Sequence, residues 1–195
     1  MSEMTAADRA LRWRGINHLA MVTPDMDTTV RFYHGVLGMR LVGTIGVGPM
    51  RHYFFEMGQG TTIAFFEWAG TEIETYAKPA GIPPDFPAQF DHISFDLPDA
   101  DALVQLQERL RAHDVEVTDE VDHGFLRSIY FTDPHGVALE ATYWVVDPTG
   151  RPADPADERL FSDTNPVPAV AEILATGTTD WHGSTVLVDE GADPA

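Results

Sequence analysis

Two histidines and two glutamates stand at matching places in two copies of one sequence pattern. The segments "NHLAMVTPDMD" and "DHISFDLPDAD" share a His, a Pro and two Asp at the same offsets, 74 residues apart. His18 and His92 are therefore equivalent, and Glu67 and Glu140 follow them by 49 and 48 residues. Imidazole and carboxylate together suit Fe, Ni, Zn, Mn or Co, and two His with one carboxylate leave positions open for substrate and O2. The pattern predicts one divalent metal ion that both copies bind.

Each copy is expected to fold as a β-α-β-β-β module. In the first copy, the apolar run "GINHLAMV" predicts a buried strand. A helix follows, with Thr23 or Asp25 as its cap and Gly38 at its end. Three strands come next, "RLVGTI", "RHYFFEM" and "TTIAFFEW". The second copy has the same order, with an amphipathic helix in "PDADALVQLQERLRAHD".

The two modules together predict an α+β fold. A sheet with one helix on one face must cover or solvate its other face, and two related sheets can curl into one eight-stranded cup. Strand alternation places Glu67 in line with Ile63 and Phe65, where a carboxylate is costly unless it has a partner. The expected divisions are an N-terminal extension at 1–14, modules at 15–68 and 89–145, a proline-rich linker at 69–88 and a tail at 146–195.

Composition limits the classes of partner. The chain of 195 residues carries a net charge of −19, from 31 acidic and 12 basic residues, which repels nucleic acid and anionic membranes. There is no Cys, no long apolar run and no signal-like start, so we expect a cytoplasmic location. In the tail, "VPAVAEILATG" predicts a helix and "STVLVDE" an edge strand. The tail is expected to cover the mouth of the cup or to clasp a second subunit.

The paired modules and their His and Glu positions resemble the vicinal oxygen chelate superfamily. It includes glyoxalase I, extradiol ring-cleavage dioxygenases, epimerases and bleomycin-resistance proteins, and the resemblance covers residues 15–145. The resemblance implies that His18, His92 and Glu140 are the metal ligands. It also implies that Glu67 falls at the fourth ligand position that glyoxalase I uses.

The stretch "VDHGFLRSIYFTDPHGVALE" is similar to the extradiol dioxygenases in particular. Their signature is a His, a hydrophobic residue with Tyr, Asp-Pro-x-Gly and a ligand Glu. All of these parts occur here, as His123, Ile129-Tyr130, Asp133-Pro134, Gly136 and Glu140. The resemblance implies that His123 and Tyr130 are hydrogen-bond donors that stabilise charge on bound oxygen atoms.

The chain departs from that family at its acid/base histidine. No His occurs between His52 and His92, so Glu67 is expected to transfer protons, unless it is a fourth metal ligand. The leading hypothesis is an Fe(II)-dependent extradiol-type dioxygenase that acts with O2 on a catechol or related diol, as a two-module homodimer. One alternative is a glyoxalase-I-like isomerase or lyase that uses a His-Glu-His-Glu site. The other is a non-catalytic drug-binding resistance protein.

Overall fold

The structure is a computed structural model in which residues 13–185 are described. The chain divides into two compact units, Met1–Val146 and Asp147–Ala195. The first unit contains both modules. The first module consists of β1 (His18–Val22), α1 (Met26–Val30), a π-helical continuation (Arg31–Val36), β2 (Arg40–Val47), β3 (Met50–Gly58) and β4 (Thr61–Trp68). The second consists of β5 (Ile93–Asp96), α2 (Ala100–Ala112), β6 (Val121–Asp122), β7 (Leu126–Thr132) and β8 (Ala138–Trp144).

The two modules have the same topology. The eight strands form two four-stranded sheets, in the orders β1-β4-β3-β2 and β5-β8-β7-β6. In each sheet the first and last strands of the module pair in parallel and the other neighbours pair antiparallel. This confirms the predicted α+β fold with two β-α-β-β-β modules.

The repeated "PD" segments begin the two helices in the same way. The Asp25 side chain accepts a hydrogen bond from Thr28 N, and the Asp99 side chain accepts one from Ala102 N. Each Asp has an extended backbone and satisfies an amide at the helix start, which is the role of an N-cap. The shared sequence therefore specifies where each helix starts over its sheet.

A buried hydrogen bond joins the modules through the Asp-Pro-His-Gly turn. Tyr33 is fully buried among aromatic side chains of its own module, and its hydroxyl donates to Asp133 Oδ2 at 3.2 Å. Burial, and then the Asp133 charge, raise the pKa of Tyr33 well above its ordinary value. Asp133 also accepts from the amides of His135 and Val137. The turn thus belongs to the core between the modules.

Gly136 in the same turn lies against the linker. Its φ of +96° favours glycine, and a Cβ there would lie 2.6 Å from the carbonyl oxygen of Tyr76. The linker approaches this closely although residues 69–92 contain no helix or strand. A side chain at position 136 would therefore push the linker away from the second module.

The second unit has one helix in its described part, α3 (Pro168–Thr176). Pro168 starts it, and Gly177 ends it with a left-handed backbone, whose amide donates to Ile173 O at 2.8 Å. This confirms the helix predicted in the tail. The predicted edge strand "STVLVDE" extends past the described residues, and most of the predicted N-terminal extension also lies outside them. No helix in residues 13–185 is long and apolar enough to cross a membrane.

Candidate metal-binding and active site

Four of the predicted site residues form one hydrogen-bonded row across the second sheet. His92 Nε2 lies 2.9 Å from Glu140 Oε2, and the Tyr130 hydroxyl donates to Glu140 Oε1 at 3.0 Å. His123 Nε2 lies 2.8 Å from the same hydroxyl. The four residues lie in or beside β5, β8, β7 and β6, which is the order of the strands in the sheet. We call His92, Glu140, Tyr130 and His123 the polar row.

Strand register brings the row together. Tyr130 lies opposite Glu140 in the antiparallel β7–β8 pair, so both side chains project from one face. Their neighbours Leu139 and Ile129 are fully buried in the core on the other face. Alternation therefore separates the polar row from the helix side of the sheet.

Glu140 is a buried carboxylate, with only 6% of its surface exposed. Burial raises its pKa, but hydrogen bonds outweigh burial and hold the pKa below the ordinary value. Two of the groups that lower the pKa contact the carboxylate directly, the Tyr130 hydroxyl at Oε1 and His92 Nε2 at Oε2. Glu140 is thus an ionised acceptor at neutral pH, ready to bind a cation.

The hydrogen bonds also fix the roles of the other two members of the row. Burial, followed by the hydrogen bond to Glu140 and its charge, raises the pKa of Tyr130 to about 12. The phenol keeps its proton at neutral pH and donates it in a hydrogen bond to Glu140, whose carboxylate can only accept. The remaining contact requires His123 Nε2 to donate to the Tyr130 oxygen. The two hydrogen bonds therefore run in one direction: His123 donates to Tyr130, and Tyr130 donates to Glu140.

His92 is held from its other side by the residue that precedes it. His92 Nδ1 donates to Asp91 Oδ1 at 2.5 Å, so Nε2 is the nitrogen that faces Glu140. Asp91 also accepts from Lys78 Nζ at 2.6 Å and from the Gly81 amide at 2.7 Å. A carboxylate on the outer nitrogen of a metal-binding imidazole is a common support of metal sites.

His18 has a similar local arrangement in the first module. Its Nδ1 donates to Asn17 Oδ1 at 2.8 Å, in the position where the second copy has Asp91. The ring of His18 is exposed and lies in edge contact with His52 and Phe54. In both modules, the residue before the His therefore holds Nδ1, which leaves Nε2 for another partner.

Glu67 lies away from these groups, and its predicted role needs correction. Its Oε1 accepts from the amide of Met26, the first residue of α1, and its Oε2 forms an ion pair with Arg51. His52 stacks on the next-door Phe66, with centroids 3.6 Å apart, so by alternation Glu67 and His52 project from opposite faces. Glu67 is on the helix face of the first sheet, and the structure does not support it as a fourth ligand or as the acid/base.

Strand pairing explains why the sequence offset wrongly matched Glu67 with Glu140. Ser94 lies opposite Glu140 in β5–β8, whereas Ala20, the counterpart of Ser94, lies opposite Ala64 in β1–β4. The true counterpart of Glu140 is thus Ala64, and Glu67 lies three residues beyond it. An odd shift turns a strand residue to the other face.

Two of the three predicted metal ligands, His92 and Glu140, are in direct contact. His18 belongs to the first sheet, and within residues 13–185 no three His, Asp or Glu side chains are close enough to hold one ion. Sequence reasoning missed Asp91 and Lys78 as site residues. The Asn or Asp before each repeated His was the available signal for Asp91, whereas nothing in the pattern indicated Lys78.

Paired β-α-β-β-β modules with a His in or beside the first strand of each define a class of protein. The chain belongs to the Glyoxalase/Bleomycin resistance protein/Dioxygenase superfamily, whose family model matches residues 15–141.

Individual relatives point to the same family. The chain is 31% identical over 137 residues to the "Putative ring-cleaving dioxygenase MhqO" of Bacillus subtilis (strain 168), an alignment that covers 67% of this chain and 40% of the relative. The chain thus spans less than half the length of that relative. A solved structure of a "putative dioxygenase" from Bacillus subtilis subsp. subtilis str. 168 is 27% identical, with a TM-score of 0.53, over 69% of this chain and 42% of that one.

A further solved structure matches the fold alone. The glyoxylase/bleomycin resistance protein/dioxygenase domain from Frankia sp. EAN1pec is 21% identical, with a TM-score of 0.58. The alignment covers 68% of this chain and 99% of that domain.

Proposed function

We propose that the protein is a metal-dependent vicinal oxygen chelate enzyme of the extradiol dioxygenase type. Its ligands to Fe(II) would be His18, His92 and Glu140, and its substrates a catechol-like diol and O2. The polar row carries this proposal, because it places a His, a carboxylate, a phenol and a second imidazole in contact across one sheet face. The identity to a relative named as a ring-cleaving dioxygenase supports the same class.

The donor atoms of the second module fit a metal ion. Two ligand atoms at right angles around an ion, each about 2.1 Å from it, are about 3 Å apart. His92 Nε2 and Glu140 Oε2 are 2.9 Å apart. Asp91 holds the outer nitrogen of His92, as expected of a ligand imidazole. We assign the third position to His18, whose Nδ1 is likewise engaged by its neighbour.

Each remaining residue has a part that follows from its contacts. A bound Fe(II) ion would supply open coordination positions for the diol and O2 together with the electron exchange that ring cleavage needs. Tyr130 is a neutral phenol beside Glu140 and can donate to a substrate oxygen placed next to that carboxylate. His123 supports the Tyr130 oxygen from behind, which keeps the phenol proton directed towards the site.

His52 is a better candidate than Glu67 for proton transfer. Its ring contacts His18 on the helix-free face, and within residues 13–185 its buried Nε2 has no hydrogen-bond partner. Burial, and then the proximity of His18, lower the pKa of His52 below its ordinary value, so the ring is a neutral base at pH 7. Glu67 projects from the helix face, where it contacts Met26 and Arg51. This position weakens the isomerase alternative, which needs Glu67 as a fourth metal ligand.

Oxygen consumption tests the proposal. Protein loaded with Fe(II) under anaerobic conditions should take up O2 when catechols are added and should produce a coloured ring-opened product. Tyr130→Phe should lower kcat by about 100-fold to 1000-fold, because one positioned donor is lost. Tyr53→Phe, on the first module, is the matched control and should retain activity. No O2 uptake across a broad catechol panel would overturn the proposal, and isomerase activity without O2 would replace it.

A further inference from the structure

We propose that Lys78 in the linker is a positioning residue that acts on His92 through Asp91. The inference rests on the proposed function only in taking His92 to be a metal ligand. The linker has no helix or strand, yet its Lys78 is among the most enclosed charged side chains near the site. We call Lys78, Asp91 and His92 the linker clamp.

Lys78 is buried and its hydrogen-bonding capacity is fully used. Its side chain is 7% exposed. Nζ donates to Asp91 Oδ2 at 2.6 Å, to Pro79 O at 3.0 Å and to Ile82 O at 3.2 Å. An ammonium group has three donors, and here all three have acceptors. A charge is removed from water only where its partners are in place, so this part of the linker is folded around the ammonium group.

Asp91 passes this constraint to the imidazole. Its Oδ2 accepts from the ammonium group of Lys78, and its Oδ1 accepts from both the Gly81 amide and His92 Nδ1. All three contacts come from donors, so the carboxylate acts only as an acceptor, is held on both oxygens, and takes its third hydrogen bond from a proton on His92 Nδ1.

The result of the clamp is a defined direction for the other ring nitrogen. With Nδ1 committed to Asp91, Nε2 lies 2.9 Å from Glu140 Oε2. Loss of the ammonium group leaves the Asp91 carboxylate held by the Gly81 amide alone on the linker side, so it can turn, and His92 then loses the Nδ1 hydrogen bond that fixes its ring orientation. The outer partners of ligand imidazoles typically contribute a 10-fold to 100-fold effect on metal affinity.

The Nδ1 proton of His92 tests the clamp without metal. Imidazole proton spectra of the metal-free full chain should show this proton as a slowly exchanging downfield signal, because Asp91 accepts it in a short hydrogen bond. In Lys78→Met, that signal should broaden or exchange faster, while the thermal midpoint stays above the temperature of the measurement. Asp91→Asn breaks the clamp at its next link and should change the same signal; if Lys78→Met does not fold, Lys78→Gln, which replaces the ammonium group by a neutral amide, decides the question. Arg40→Met, which removes an exposed ion pair with Glu56, is the control and should leave it unchanged.

Metal affinity gives the second readout. Titration with Co(II) alone should show Kd raised by about 10-fold to 100-fold in Lys78→Met and unchanged in Arg40→Met. Unchanged His92 signals in a folded Lys78→Met protein would overturn the inference. If wild-type protein binds no Co(II), the proposed function fails, but the measurement of the His92 Nδ1 proton still decides whether the clamp exists.

Discussion

The helix-free faces of the two modules have the same backbone and different chemistry. In the second module the face carries the polar row, centred on Glu140. In the first it is mostly aromatic, with stacked contacts from His52 to Phe66 and from Phe66 to Trp68. At the position that matches Glu140, the first module has Ala64.

The difference shows that the repeat duplicates a scaffold and only part of the site. Both copies retain the His and a hydrogen-bonding residue before it, Asn17 in one and Asp91 in the other. Only the second copy adds a carboxylate to the face and a charged support to the imidazole. The second module thus supplies the anionic half of the proposed site, and the first supplies an imidazole and an apolar wall.

The largest expected difference separates the two glutamates. Glu140→Gln should weaken binding of Fe(II) or Co(II) by more than about 100-fold, because it removes a ligand charge rather than an outer support. Glu67→Gln should leave metal affinity unchanged, because Glu67 lies on the helix face. It should cost about 1 kcal/mol of stability from a lost charge at a helix start and a lost ion pair. Metal titration and thermal unfolding of both variants make the comparison. Loss of metal binding in Glu67→Gln would show that our face assignment is wrong.

The two histidines test whether the modules share one ion. His18→Ala and His92→Ala should each reduce metal content strongly, from one ion per chain, and the double variant should be little worse than either single one. The reason is that either loss empties the same site. Elemental analysis and the metal-dependent rise in Tm measure this. Full occupancy in His18→Ala, or two ions per chain, would mean that each module acts alone.

The two turns between the last strands of each module should differ in their tolerance of a side chain. Gly136→Ala should lower the free energy of unfolding by about 3 kcal/mol, because left-handed strain adds to a clash with the Tyr76 carbonyl oxygen. Gly60 has φ +81°, and a Cβ added there would meet no atom of residues 13–185 within 4 Å, so Gly60→Ala should cost about 1–2 kcal/mol from strain alone. Urea unfolding of both variants gives the two values. Equal costs would indicate that the linker does not lie against the second module.

The smallest expected effect concerns alkaline stability and the polar row. The folded pKa of Tyr130 is raised to about 12, above the value of about 10 for an unfolded tyrosine. Its contribution to stability is therefore complete below about pH 10 and is lost as the pH rises towards 12, because the unfolded phenol releases its proton first. Tyr130→Phe should flatten this decline by less than about 1.4 kcal/mol per pH unit, the limit for one proton. Free energies of unfolding between pH 9 and 11 measure it, with the exposed Tyr76→Phe as control; an identical decline in both proteins would contradict the raised pKa.

Local sequence determined the elements and most of the second module's site. The repeated His, the Asp caps and the strand and helix patterns predict both modules because each depends on neighbouring residues only. His92, Glu140, Tyr130 and His123 could be named in advance from their motif, and the structure places them in one row. Whether His18 completes a metal site stays a prediction.

Tertiary structure decided the facts that depend on pairing between distant segments. The partner positions in β1 and β4 are 44 residues apart and those in β5 and β8 are 46 apart, so a constant sequence offset misassigns Glu67 and turns it to the wrong face. The linker clamp depends on a buried Lys78 meeting Asp91 across a segment without regular structure. Periodicity carries no information about such contacts, because the hydrogen bonds that set register and bury the ammonium group form only when the modules and the linker pack together.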